Sequence, residues 1–119
     1  KIETKKAIKN LKKIIKFGKN FLIDRGDLSK DIRIENVPIL QRKIISEANK
    51  KNKNVYVATN FLESMIINNY PTRAEVNDIY NTIEMGAKGL VLAAETAIGK
   101  NPIECVKILK KIIEVFKKK

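Results

Sequence analysis

The chain has 119 residues with one Cys and no His, and its 25 Lys and Arg against 13 Asp and Glu give a formal net charge of +12. One Cys excludes a disulfide framework, and the absence of His excludes zinc-finger spacing and any Ser-His or Cys-His catalytic pair. No apolar run approaches the roughly 20 residues of a membrane-spanning helix, so we predict no membrane partner. An apolar content of 44% is enough for a folded core.

The positive charge has two interpretations. A sequence pI near 9.9 is typical of proteins that bind nucleic acid. However, 21 of the 25 basic residues are Lys, whereas surfaces that read nucleic acid favour the planar guanidinium of Arg. Lys, Ile and Asn together fill 52 of the 119 positions, as a bias towards A- and T-rich codons would produce. We therefore favour solvated helix faces and predict no nucleic-acid partner.

The first half of the chain predicts two helices and one strand. Apolar residues at helical spacing indicate an amphipathic helix over Thr4–Phe17, with its first residue as the N-cap. The apolar run Phe21–Ile23 predicts a buried strand, and Asp24–Glu35 is typical of a polar loop. Asn36 is placed to cap a second helix with Pro38 in its first turn. The inner face of that helix would comprise Leu40, Ile44, Ile45 and Ala48.

The same pattern then repeats. Val55–Ala58 predicts a second strand, and Phe61–Ile67 a short helix. Thr72 and Glu75 have the spacing of a capping box, in which each side chain satisfies the other residue's backbone N–H. They therefore predict the start of a further helix, whose apolar side would comprise Val76, Ile79, Tyr80 and Ile83.

A third strand and a last helix complete the pattern. Gly89–Ala93 predicts the strand, and Asn101 and Pro102 the start of the helix. Cys105 lies among the inward positions of this helix and is better interpreted as a small core residue than as a nucleophile. The other positions predicted to face inward are Ile103, Val106, Leu109, Ile112, Ile113 and Phe116.

The order of elements predicts an α/β fold with three consecutive strand–helix units and parallel strands. The strands recur about every 34 residues, the length scale of a βαβ unit, and right-handed crossovers place them in one sheet. Three parallel strands leave two unpaired edges, which are an aggregation liability unless something covers them. We therefore expect this chain to be part of a larger architecture, and a (β/α)8 barrel needs eight strands and about 250 residues.

Polar residues follow each predicted strand, where parallel α/β folds gather their functional groups. Glu3 and Asp27 offer carboxylates for a hard divalent cation, and Lys1 offers a compact positive charge for a phosphoryl group. Gly26 allows a ligand to approach the backbone closely, and Thr59 offers a hydroxyl. From the residues alone, phosphoryl transfer is one interpretation among several.

Each of these residues also has an ordinary structural interpretation. Arg25-Gly26-Asp27 is a common polar turn, and Glu95 is a plausible loop carboxylate. Glu63 and Ser64 are more typical of an exposed surface, and Glu75 is explained by its capping role.

Five motifs resemble the pyruvate kinase family, in the family's order and over nearly the whole chain. They are Lys1-Ile2-Glu3, Arg25-Gly26-Asp27-Leu28, the stretch Ala58–Met65, the run Pro71–Glu75, and Glu95-Thr96-Ala97 with Gly99 and Pro102. One such motif would be weak, whereas five in register are highly specific. The resemblance implies that residues 1–119 form the last part of a TIM (β/α)8 catalytic barrel, from the end of strand five to helix eight. The family's lid domain, C-terminal effector domain and K⁺ site would lie outside this segment.

The resemblance also implies residue roles in phosphoryl transfer between phosphoenolpyruvate and ADP, giving pyruvate and ATP in glycolysis. Lys1 and Thr59 would be catalytic, and Glu3 and Asp27 would hold Mg²⁺ or Mn²⁺. Substrate would be bound by Arg25, Gly26, Asp27 and Thr59. Asp24, Asn60 and Glu95 would surround these residues without contacting the substrate. A cytoplasmic location is implied in the same way.

The chain departs from the family pattern at four positions. Asp24 stands where an Ala is usual, Ser29 replaces a Gly, Asn60 replaces a Gln, and Ala93 replaces a Ser. The metal and phosphoryl residues are kept while their surroundings are altered. This pattern fits a divergent pyruvate kinase and also a non-catalytic module.

Three functional hypotheses follow. We favour part of a pyruvate-kinase-like phosphotransferase that is inactive as an isolated 119-residue chain, with the rest of the barrel or a second copy of the chain as its partner. The alternative is a non-catalytic module that associates through its strand edges. A basic nucleic-acid-binding protein is a remote third, for which steep salt dependence would be diagnostic.

Overall fold

A computed structural model describes all residues 1–119, and its centre is one parallel sheet. The three strands are β1 (Asn20–Asp24), β2 (Asn54–Ala58) and β3 (Gly89–Val91), in the order β1-β2-β3. The last residues of the three strands lie side by side, because Asp24 is in register with Ala58 and Ala58 with Val91. The predicted fold class and strand direction are therefore confirmed, and the polar residues after the strands share one edge.

Seven α-helices and two short 3-10 helices connect and cover the strands. The 3-10 helices are Ile34–Asn36 and Glu63–Ile66. The α-helices are α1 (Lys5–Lys9), α2 (Leu11–Lys16), α3 (Arg25–Asp31), α4 (Val37–Lys50), α5 (Arg73–Glu84), α6 (Ala94–Ala97) and α7 (Pro102–Lys117). None of them combines the length and the apolar character that crossing a membrane requires.

One hydrophobic core holds the helices against the sheet. Ile23 and Val57 are fully buried on the helix-facing side, together with Ile44 and Ile45 of α4 and Ile79 of α5. On the opposite side of the sheet, Leu22 and Tyr56 are only half-buried. The strands therefore carry apolar side chains on both faces of the sheet, and the helices bury only one of these faces completely.

The first predicted helix is interrupted. Thr4 is the N-cap, as predicted, and its hydroxyl accepts the Ala7 N–H at 3.0 Å. Asn10 leaves helical geometry with φ −104° and ψ 18°, and its side chain donates to the Lys6 carbonyl at 2.9 Å. The Asn10 backbone N–H still donates to the Lys6 carbonyl at 3.1 Å, and α1 and α2 meet at this residue.

The polar loop predicted over Asp24–Glu35 is wrong, because α3 and a 3-10 helix fill most of it. The Asp24 side chain accepts the Asp27 N–H and so caps α3. The predicted capping role of Asn36 is also wrong, since its side chain makes no capping bond and α4 starts at Val37 directly after the 3-10 helix.

In the second half, the predicted helix over Phe61–Ile67 is only the four-residue 3-10 helix. The capping box of Thr72 and Glu75 is confirmed, with both reciprocal bonds present. The third strand ends at Val91, two residues earlier than predicted, and α6 follows it.

The last helix buries a narrower face than predicted. Cys105 and Ile112 are buried as expected, and Phe116 meets Tyr80 edge-to-face with ring centroids 5.6 Å apart. The inward positions predicted for Ile103 and Val106 are wrong, because their side chains are 66% and 53% exposed. The α7 helix packs on α5 and α6 through the face that carries Cys105 and Ile112. Ile103 and Val106 therefore face solvent.

Candidate active site

The first residues of the chain lie beside β1 and bring Lys1 and Glu3 to the carboxyl edge of the sheet. Ile2 forms a parallel bridge with Ile23, and the Ile2 N–H donates to the Leu22 carbonyl at 2.7 Å. Ile2 itself is buried. An apolar residue in the core therefore positions the two polar residues that flank it.

Three carboxylates and one ammonium meet at this edge. Glu3, Asp24 and Asp27 each place one carboxylate oxygen within 4.8 Å of the others. Lys1 Nζ lies 3.4 Å from Glu3 Oε2 and 3.5 Å from Asp24 Oδ2. Glu3 Oε2 is buried and has no hydrogen-bond partner, and its ion-pair contact is the Lys1 ammonium.

Opposite charges shift the pKa values of two members of the cluster, Lys1 and Asp27. The contact with the Glu3 carboxylate, followed by that with Asp24, raises the pKa of Lys1 above its ordinary value. The hydrogen bond from Lys30, whose Nζ lies 3.3 Å from Asp27 Oδ1, lowers the pKa of Asp27. Lys30 was not predicted as part of this site, and its position one turn after Asp27 in α3 is the signal that identifies it.

The first turn of α3 crosses over the end of β2. The Gly26 N–H donates to Thr59 Oγ1 at 2.8 Å, and the Asp27 N–H donates to Asp24 Oδ1 at 3.1 Å. A Cβ added to Gly26 would lie 3.4 Å from Thr59 Oγ1, so a larger side chain would fill the space between the two strand ends. Within α3, the Ser29 hydroxyl donates to the Arg25 carbonyl at 2.6 Å.

Thr59 and Asn60 form a strained turn after β2. Their φ angles are +80° and +62°, a left-handed conformation that is costly for side chains with a Cβ and most of all for a β-branched one. The Arg25 guanidinium donates twice to the Thr59 carbonyl, at 2.8 and 3.2 Å. Tertiary contacts therefore hold the residue that is predicted to be catalytic in this conformation.

Two residues that the sequence did not reveal support Arg25. Asp78 of α5 accepts a bidentate pair from its guanidinium at 2.8 and 2.9 Å, and the Phe61 ring centroid lies 4.1 Å from its Cζ. No motif links these positions, because they are separated by 53 and 36 residues and meet only through the fold. Arg25 is thus anchored within the protein, and its guanidinium is engaged away from the carboxylate cluster.

A cavity of about 210 Å³ adjoins the turn and contains the two remaining predicted residues, Asn60 and Glu95. Asn60 donates to Glu63 Oε2 at 3.1 Å. The Glu95 carboxylate is buried and accepts the N–H groups of Leu62 and Ala93 at 3.0 and 2.8 Å. Glu95 therefore joins the end of β3 to the segment after β2 and fixes the wall of the cavity.

The oxygen donors at this edge suit a hard divalent cation. Carboxylates within 4.8 Å of one another match the ligand chemistry of Mg²⁺ and Mn²⁺. The buried Glu3 Oε2 has no hydrogen-bond partner, so it has a lone pair available for a cation. The residues present therefore fit the metal that the resemblance implies.

Fold and site together define a class: a parallel α/β protein with a carboxylate and lysine cluster at the carboxyl edge of its sheet, of the kind used to bind cations and phosphate groups. The family model described as "Pyruvate kinase, barrel domain" matches residues 1–106. The chain belongs to the pyruvate kinase family, which confirms the resemblance and is consistent with strands taken from a TIM-barrel-type domain.

Three relatives show the extent of the similarity. The pyruvate kinase of Thermotoga maritima is 52% identical over 119 residues, which is 100% of this chain and 26% of the relative. That of Methanocaldococcus jannaschii is 47% identical over 97% of this chain and 26% of the relative. The chloroplastic pyruvate kinase isozyme G of Nicotiana tabacum is 46% identical over 92% of this chain and 19% of the relative. The chain thus spans about a quarter of the length of the curated relatives it matches.

Proposed function

We propose that this chain supplies the phosphoryl-transfer and cation-binding part of a pyruvate kinase active site, acting between phosphoenolpyruvate and ADP. The observation that carries the proposal is the meeting of Lys1, Glu3 and Asp27 at the carboxyl edge of the sheet, through segments far apart in sequence. Family membership and the fit of the oxygen donors support it.

In this proposal, Glu3 and Asp27 hold Mg²⁺ or Mn²⁺ and Lys1 contacts the phosphoryl group. A bound divalent cation would help to neutralise the charge on the phosphoryl oxygens. The Lys1 ammonium would supply a second positive charge, and its contacts with Glu3 and Asp24 favour its protonated form.

The Thr59 hydroxyl is proposed to face the methyl carbon of the substrate. Its Oγ1 already accepts the Gly26 N–H, so its own proton is free to be donated into the cavity beside Asn60. The substrate carboxylate would bind at the first turn of α3, sharing the Gly26 N–H with Thr59. Arg25 contributes by fixing the Thr59 backbone.

We also propose that further strands complete the sheet on both sides, because a chain that forms only part of a barrel leaves both edges of its sheet open. On one side, β1 meets only the short segment around Ile2. On the other side, β3 pairs with β2 alone, and Val91 is 39% exposed. These edges support the proposal that the rest of a barrel is the natural partner of the chain.

Mn²⁺ binding to the 119-residue chain, followed by electron paramagnetic resonance, tests the proposal. Asp27→Asn should weaken Mn²⁺ binding by more than about tenfold, because one direct ligand is lost. Asp31→Asn is the matched control, since it removes the same charge from the other end of α3 and should leave binding unchanged. Equal Mn²⁺ affinity of the Asp27→Asn variant and the unaltered chain would contradict the proposed cation site.

A lactate dehydrogenase-coupled assay tests the reaction itself. We expect no turnover by the 119-residue chain alone, because three strands cannot enclose a substrate. Metal-dependent turnover that Lys1→Met abolishes would overturn this expectation of inactivity and support the assigned reaction. Turnover that survives Lys1→Met would contradict the role of Lys1.

A further inference from the structure

Asp24 is the member of the carboxylate cluster that connects two segments of the chain. Its Oδ2 lies 3.5 Å from Lys1 Nζ, and its Oδ1 accepts the Asp27 N–H at 3.1 Å. Glu3 Oε2, by contrast, accepts no hydrogen bond, and Asp27 pairs with Lys30 on the surface of α3. Both oxygens of Asp24 therefore have partners within the protein.

Asp24 is also less exposed to solvent than Lys1, its partner in the ion pair. It is the last residue of β1, in register with Ala58, and its side chain is 15% exposed. The Lys1 side chain is 49% exposed and carries its ammonium on a flexible four-carbon stem. A contact between the two therefore restricts Lys1 and leaves Asp24 where the strand and helix cap hold it.

We propose that Asp24 is a positioning residue that holds the Lys1 ammonium over the first turn of α3. The inference rests on the proposed function, in which Lys1 contacts the transferred phosphoryl group. Asp24 acts on Lys1 through its charge and on Asp27 through the backbone N–H, and it leaves the ligation of the cation to Glu3 and Asp27.

The balance of charge supports this role. Lys1 Nζ lies 3.4 Å from Glu3 Oε2 and 3.5 Å from Asp24 Oδ2, so the two carboxylates share its single positive charge. The extra carboxylate thus adds an anchor for Lys1 without adding a ligand.

Two substitutions separate the two contacts of Asp24. Asp24→Asn keeps an acceptor for the Asp27 N–H and removes the charge that attracts Lys1, whereas Asp24→Ala removes both. Glu35→Gln is the matched control, because it removes the same charge from a carboxylate that is 58% exposed.

The first readout uses the metal-free chain. ¹³C relaxation of the Lys1 Cε, assigned with Lys1→Met, should show a lower order parameter in both Asp24 variants and no change in Glu35→Gln. Exchange of the Asp27 amide should accelerate about fivefold or more in Asp24→Ala only, because the helix cap is lost there. An unchanged Lys1 order parameter in Asp24→Asn would overturn the proposal.

The second readout is Mn²⁺ affinity measured by electron paramagnetic resonance. Asp24→Asn should change the Mn²⁺ affinity by less than about threefold, because the proposal gives Asp24 no direct contact with the cation. A loss as large as that of Asp27→Asn would make Asp24 a direct ligand and overturn its positioning role. If the unaltered chain bound no Mn²⁺, the proposed function would be contradicted. The order parameter of Lys1 would still show whether Asp24 positions the Lys1 side chain.

Discussion

The two ends of the sheet carry charge in different ways. At the carboxyl end, Lys1 contacts Asp24 and Arg25 contacts Asp78, and each carboxylate comes from another segment of the chain. At the amino end, where α2 and α4 lead into β1 and β2, lysines line a groove of about 640 Å³ with one carboxylate, Glu47. Of these lysines only Lys50 forms an ion pair, at 3.8 Å; the others are Lys12, Lys16, Lys51 and Lys53.

The difference shows which charges the fold positions. A charge that is paired with a residue from a distant segment is held in one position. An unpaired lysine near a helix C-terminus stays solvated and interacts favourably with the helix dipole. The five lysines and one carboxylate of this groove thus place a local excess of four positive charges at the end that lacks the candidate site. Three substitutions test this contrast, in order of expected effect.

Arg25→Leu should have the largest effect on stability. It leaves Asp78 and the Thr59 carbonyl without their donor and removes the contact with Phe61, so the free energy of unfolding should fall by about 2 kcal/mol. Urea unfolding of the 119-residue chain measures it. Arg33→Leu, in an exposed pair with Glu35, is the control and should cost no more than about 0.5 kcal/mol. Equal losses for the two would mean that the Arg25 network adds no stability.

Glu75→Gln should have an intermediate and pH-dependent effect. Burial raises the pKa of Glu75, but hydrogen bonds from Ser64 and Thr72 outweigh it and lower the pKa below its ordinary value. A carboxylate with a lowered folded-state pKa contributes stability above its unfolded value of about 4.3 and loses it as the pH falls through the folded value.

We therefore expect Glu75→Gln to cost about 1 kcal/mol at pH 7 and progressively less below about pH 4. Urea unfolding between pH 7 and pH 3 gives the difference. Glu84→Gln, at the other end of α5, is the control, because this carboxylate is 52% exposed and contacts only the exposed ammonium of Lys119. A cost for Glu75→Gln that is independent of pH would contradict the lowered pKa.

Neutralising the amino end should have the smallest effect. The triple substitution of Lys12, Lys16 and Lys51 by Gln should change the free energy of unfolding by less than about 0.5 kcal/mol, because these lysines lack ion pairs.

Fluorescence anisotropy with a labelled oligonucleotide checks the nucleic-acid hypothesis at the same surface. We expect no binding at about 0.15 M salt, where exposed charges are screened. Binding with a steep salt dependence that the triple variant loses would revive that hypothesis.

Local patterns predicted most of the elements but not all of their ends. The capping box and the burial of Ile44, Ile45, Ala48 and Ile79 followed from spacing alone. The helix after Asp24 was missed because its sequence is polar, and a polar sequence becomes helical here through a side-chain cap. Ile103 and Val106 were misplaced because apolar spacing cannot show how wide a face the neighbouring helices cover.

The sequence by itself determined the parallel α/β pattern, the family resemblance and the candidate residues Lys1, Glu3, Asp27 and Thr59, because these depend on local periodicity and on short motifs. Only the tertiary structure decided that Asp24 contacts Lys1 and that Arg25 is held by Asp78 and Phe61. These contacts join residues 23 to 53 positions apart, and their distances are set by strand register and helix packing, which no local pattern encodes.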